Sequence, residues 1–188
     1  MHNRITMAAA LLLMAGVTTA CGSGSDGPAP APTSRAATAG PSPLRSEGGR
    51  WTLGTRWTWV DGPYVGNTTV VSYTQPATVG GTKPEHPAYE WAVAEVKVCN
   101  TVGDVFTVSR SPWSVAYADG ARVKPMDRDA PGFPRPLFPR TDTQVKGGAC
   151  VRGNIVFAVR EGKRPDRVVY APDSSGEPVV EEWAVPAK

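Results

Sequence analysis

Histidine and cysteine are nearly absent from this chain, 2 and 3 among 188 residues. His2 lies in an apolar leader, so a mature domain keeps only His86, and there is no CxxC spacing. A tetrahedral zinc site therefore lacks ligands. Copper needs soft or imidazole donors, and only Met126 and His86 follow the leader besides the cysteines. A Ser-His-Asp or Cys-His device would depend on His86 alone, inside the loop-like run Lys83-Pro84-Glu85-His86-Pro87. We assign no catalytic residue, no metal and no cofactor from these patterns.

Long apolar runs are missing as well. The longest, Ile5 to Val17, falls short of the ~20 residues that span hydrocarbon. Neither a P-loop nor a GxGxxG pattern is present, and Gly147-Gly148 after Lys146 reads as a turn into the next strand. The net charge is only +3, with lysines and arginines scattered among acids. Nucleic acid is not an expected partner. Arg135, Arg140, Lys146 and Arg152 form at most a modest basic patch, and ordinary solvated surface is the simpler reading.

Carboxylate pairs offer little more. Glu181 and Glu182 are neighbours on a candidate strand and point to opposite faces. Asp127-Arg128-Asp129 keeps its carboxylates on one side but lacks the further oxygen ligands of a calcium loop.

What is present begins with the leader. Arg4, the apolar stretch and Thr18-Thr19-Ala20 immediately precede Cys21. This is a secretory signal resembling a bacterial lipoprotein signal, in which the cysteine thiol is acylated before residues 1–20 are removed. Thr18-x-Ala20 also suits ordinary signal peptidase, and lipoprotein signals more often carry Leu where Thr18 stands, so plain secretion stays open.

Residues 21–49 are mostly Gly, Ser, Pro, Ala and Thr. Such composition cannot bury enough surface to offset its ordering entropy. As a flexible coil it would reach roughly 30 Å, stiffened by Pro28, Pro30 and Pro32. A disordered tether between membrane and domain is expected, an unstructured leader without a spacing role being the alternative.

Residues 50–188 are enough for one domain. Apolar and polar positions alternate, and segments are bounded by Gly, Pro or Asp-Gly, which is an all-β pattern. Strands are predicted over 55–60, 68–74, 89–100, 104–109, 113–118, 122–124, 150–160, 167–170 and 180–185. This number of short strands favours an antiparallel β-sandwich. Asp119-Gly120 marks a hairpin, with Trp113, Val115 and Tyr117 facing the core. The same aromatic stripe could line a ligand groove.

With Cys21 acylated, Cys99 and Cys150 remain as an even pair in an exported chain, which points to a disulfide. Ala94, Val96 and Val98 share one face of their strand and Cys99 the other. Val151, Ile155, Phe157 and Val159 share one face and Cys150 the other. Antiparallel neighbours would bring the two cysteines together within one sheet.

The segment Pro131-Gly132-Phe133-Pro134-Arg135-Pro136-Leu137-Phe138-Pro139 is donor-poor and extended. Phe133, Leu137 and Phe138 either seal one open end of the sandwich or, with Arg135, form an interaction loop.

Several stretches carry a resemblance. They are Glu95 to Thr101, Trp113 to Gly120, Gly147-Gly148-x-Cys150-x-x-Gly153-x-Ile155-Val156-Phe157 and Pro165 to Tyr170. Over about half of the chain, Glu90 to Ala171, they resemble a domain of unknown function in actinobacterial and other Gram-positive lipoproteins. That family is related to the mycobacterial immunoprotective extracellular protein. The resemblance implies an immunoglobulin-like sandwich in the cell envelope and supplies no active-site residues.

The expectation is a non-catalytic binding or interaction domain, attached through Cys21 to the outer face of the cytoplasmic membrane. Its partner would be an envelope protein or wall polymer. A hydrolase with an unrecognised site, or a purely structural envelope component, is the alternative.

Overall fold

The computed structural model describes residues 49–172 and 179–187. The signal, Cys21 and the tether as far as residue 48 lie outside the described residues.

Among the described residues eleven strands follow in order: β1 (Trp51–Thr52), β2 (Arg56–Asp61), β3 (Tyr64–Thr74), β4 (Tyr89–Val102), β5 (Val105–Val108), β6 (Trp113–Ala116), β7 (Arg122–Val123), β8 (Thr143–Lys146), β9 (Cys150–Arg160), β10 (Arg167–Tyr170) and β11 (Glu181–Ala184). No helix occurs among the described residues. One sheet has the order β1-β11-β10-β6-β7, a second β2-β3-β4-β9, and β5 pairs with β8 in a two-stranded ribbon. The inner faces of the two large sheets share one core. Val70, Ala94, Val96 and Phe157 from one sheet meet Trp113, Val115, Val168 and Trp183 from the other. The chain is an all-β sandwich, as its alternation predicts. The named strands pair antiparallel except β1 and β11, which run parallel.

Two of the eleven strands, β1 and β8, escape the sequence pattern. β3 also begins earlier than predicted, because Asp61 to Tyr64 closes a tight β2–β3 hairpin in which Gly62 has φ +54°. The Asp119-Gly120 turn forms as expected: Gly120 has φ +88°, and the Ala121 N–H donates to Asp119 Oδ1 at 2.9 Å. Trp113 and Val115 are fully buried, whereas Tyr117 leaves β6 and is only half-buried.

Cys99 and Cys150 lie directly opposite each other in the β4–β9 ladder and are joined as a disulfide, with Cα atoms 4.0 Å apart. Next to the bridge, the side-chain nitrogen of buried Asn100 donates to the Val145 carbonyl at 3.0 Å. This ties the β5–β8 ribbon to the end of β4.

The outer face of the β2-β3-β4-β9 sheet is not left to water. Trp91 and Val93 on β4 and Val156 on β9 form a second cluster with Val79 and Phe133, which come from the loops spanning 75–88 and 124–142. Those loops are pinned to the sheet by backbone bonds. The Ala77 N–H donates to Trp91 and the Met126 N–H to Val156, at 2.8 and 2.9 Å.

Candidate functional site

The proline-rich segment, expected to cap an open end or face a partner, does neither as a unit. Phe133 is buried in the outer-face cluster against the edge of Trp91, and half-buried Leu137 packs on the same cluster. Phe138 enters the inter-sheet core beside Trp113. Four prolines deprive this stretch of donors, yet its carbonyls and its remaining N–H groups satisfy β9. The Phe138 N–H donates to the Asn154 carbonyl at 3.0 Å, and the Asn154 N–H to the Pro136 carbonyl at 2.8 Å. The segment thus covers an edge strand that would otherwise present open pairing groups. The packing takes up its apolar side chains, and of the four candidate residues of an interaction loop Arg135 alone is exposed.

His86 sits on an exposed loop. Its Nδ1 accepts the Ala88 N–H at 3.1 Å, and its ring meets the edge of Tyr89. Asp129 accepts from Arg110 at 2.7 Å, while Glu181 accepts from the Trp51 indole and Glu182 from Arg50 and Arg167. Glu181 and Glu182 are therefore occupied separately, and Asp129 is committed to Arg110. In the basic patch, Arg152 donates to Glu95 at 2.7 Å; that hydrogen bond and the neighbouring charge hold its guanidinium further toward the protonated form.

A different place has the shape of a site. Where β5, β6 and β10 meet at one end of the sandwich, a cavity of about 360 Å³ opens, within the size range of small-molecule sites. Val98, Trp113, Phe138 and Tyr170 line its inner part. The Tyr170 ring lies 4.8 Å from that of Trp113, its cross-strand partner, and 6.3 Å from that of Trp57. Two tryptophans thus fix where the phenol points. Burial pushes the Tyr170 hydroxyl pKa up, so the neutral donor form persists. The Trp113 indole N–H is buried with no hydrogen-bond partner among the described residues.

The mouth has another character. Thr107, Ser109 and Ser111 present hydroxyls, Lys124 an ammonium and Asp142 a carboxylate. Lys124 and Asp142 are exposed, and neither enters an ion pair among the described residues. The mouth side chains come from three stretches of chain, residues 107–111, 124 and 142, and meet Val98, Trp113, Phe138 and Tyr170 only after folding, so no local motif announces the cavity. The one available signal was the Trp113, Val115, Tyr117 stripe, whose first residue both packs the core and lines the cavity.

Known structures place the fold. The crystal structure of MPT63, a secreted protein from Mycobacterium tuberculosis, aligns with a TM-score of 0.55 at 20% identity, covering 78% of this chain and 100% of that one. The yjhA protein from Bacillus subtilis aligns with a TM-score of 0.49 at 15% identity, over 72% and 98% of the two chains. A protein of unknown function from Listeria monocytogenes aligns at 0.43 and 14% identity, over 70% and 82%. No family model matches the chain, and no curated protein matches it by sequence. The likeness to MPT63 shows a shared β-sandwich fold; a fold of this kind hosts many unrelated functions.

Proposed function

We propose that this protein is an exported, non-catalytic binding domain, held on the outer face of a bacterial cytoplasmic membrane by a lipid on Cys21. The observation that carries the reading is the Cys99–Cys150 disulfide. Such bonds persist in oxidising compartments outside the cytoplasm, which agrees with the secretory character of residues 1–20. A diacylglyceryl group supports stable anchoring because it supplies two chains, whereas a single acyl chain holds a protein only marginally. The cavity at the sandwich end gives the domain a place to bind, and its envelope setting makes a wall polymer or envelope protein the natural partner class.

The test is fractionation of cells expressing the native chain and a Cys21→Ala form. The native protein is expected in the membrane fraction, carrying fatty acid, and the variant in the medium or with its signal uncleaved. A variant that stays membrane-bound with unchanged processing would overturn the anchor.

A further inference from the structure

We infer that the sandwich-end cavity binds a saccharide of one or two rings, either free or as the exposed end of a wall glycan; this rests on the reading of the protein as a binding domain. The argument is the match between mouth and ligand chemistry. Thr107, Ser109 and Ser111 offer hydroxyls that both donate and accept, Lys124 donates only, and Asp142 accepts only. None of the three hydroxyls is hydrogen-bonded through its side chain to another described residue. A sugar hydroxyl can satisfy each of these groups, because it is donor and acceptor at once.

The charges sharpen the choice. Lys124 and Asp142 cancel, so the mouth has no net sign with which to select an anion such as a phosphate or a simple cation. Tyr170 adds a neutral phenol held between Trp57 and Trp113. Val98, Trp113 and Phe138 behind it are at most 2% exposed, so half-buried Tyr170 is the aromatic side chain among the four that a ring could meet, and about 360 Å³ accommodates one or two pyranose rings.

A zwitterionic amino acid is the principal rival, since it too pairs with one ammonium and one carboxylate. It would leave the hydroxyl row without a purpose.

The full-length protein in detergent would be titrated with glucose, N-acetylglucosamine, diacetylchitobiose, glycine and alanine, following tryptophan fluorescence and calorimetric heat. Saturable binding of at least one saccharide is expected, weakened about tenfold or more by Asp142→Asn and by Tyr170→Phe. Retention on insoluble peptidoglycan, competed by the free disaccharide, would identify the glycan end as the source; binding of free sugar without retention would identify the soluble form. Saturation by glycine or alanine and by no sugar, no saturable sugar binding up to about 10 mM, or sugar binding unchanged in both variants would overturn the proposal. None of these results depends on Cys21, so failure here is separable from failure of the anchor.

Discussion

A Cβ built on Gly153 would lie 2.4 Å from the backbone nitrogen of Phe138 and 2.6 Å from the carbonyl carbon of Leu137. Both are main-chain atoms of a segment bonded to β9, so neither can swing aside. Gly153→Ala is expected to cost about 1–3 kcal/mol, the range for overpacking, and to lower the urea midpoint without changing the slope. Gly66 provides the contrast, because the atoms a Cβ there would meet first belong to the ring of Trp59, its partner across the β2–β3 hairpin. Gly66→Ala should cost less and shift the tryptophan emission, as the half-buried Trp59 turns outward. Equal losses in the two variants would contradict this distinction between backbone and side-chain neighbours.

The disulfide closes a separation of 51 residues. In the chain-entropy model such a loop stabilises by up to ~4 kcal/mol. Cys99→Ser and Cys150→Ser should both fold and melt several degrees lower, and the native protein should lose a similar amount in reductant. A melting temperature indifferent to reduction would remove the bridge from the stability of the domain.

The bridge was legible because β4 and β9 carry it on strands whose faces can be read residue by residue. Where the pattern failed, the cause was tertiary. Trp51-Thr52 is too short to alternate, and β1 exists only because Trp51 pairs with Trp183 from the far end of the chain. Thr143–Lys146 has a single buried residue, Val145, and acquires its strand from β5. A clue was available for the covered outer face: Trp91 to Ala94 and Ile155 to Phe157 are buried without alternation, the mark of a strand covered on both sides. The cavity left no trace because the Thr107 to Ser111 run acquires a meaning only when folding brings Lys124, Asp142 and Tyr170 to it.

Alkaline stability follows from two tyrosines. Burial raises the hydroxyl pKa of both Tyr73, bonded to Gln75 Oε1 at 2.8 Å, and Tyr170. Folded values thus exceed the unfolded value of about 10. Below about pH 10 both states keep the proton and the contribution is fully present; above it the unfolded chain loses protons that the fold retains, and stability falls. Urea midpoints measured from about pH 9 to pH 11 should decline less steeply in a Tyr73→Phe, Tyr170→Phe double variant than in the parent. Parallel declines would show that these phenols do not drive the loss.

Arg110 is 4% exposed, and its guanidinium meets a single described acid, Asp129 at 2.7 Å, while Nε and Nη2 are buried without partners among the described residues. Removing the acid leaves a desolvated charge, whereas removing the arginine relieves that desolvation. Asp129 is 46% exposed, so water screens part of the pair. Asp129→Asn should cost about 1–2 kcal/mol, and Arg110→Met should be near neutral or stabilising. A double-mutant cycle gives the coupling, and a larger loss for Arg110→Met than for Asp129→Asn would refute the argument.

Phe133 and Phe138 stand five positions apart in one loop but belong to different clusters, so truncating them should weaken different parts of the molecule. Phe138→Ala opens the core between the sheets and should cost about 3–5 kcal/mol in global unfolding. Phe133→Ala removes the contact with Trp91 that holds two surface loops on the outer face. Its effect should concentrate in local opening. Hydrogen exchange read by mass spectrometry should show faster exchange at Ala77 and Met126, whose N–H groups bond to Trp91 and Val156, with Val96 and Val168 in the core protected as before. Uniform loss of protection across both sheets in Phe133→Ala would mean that the outer-face cluster unfolds with the core as one unit.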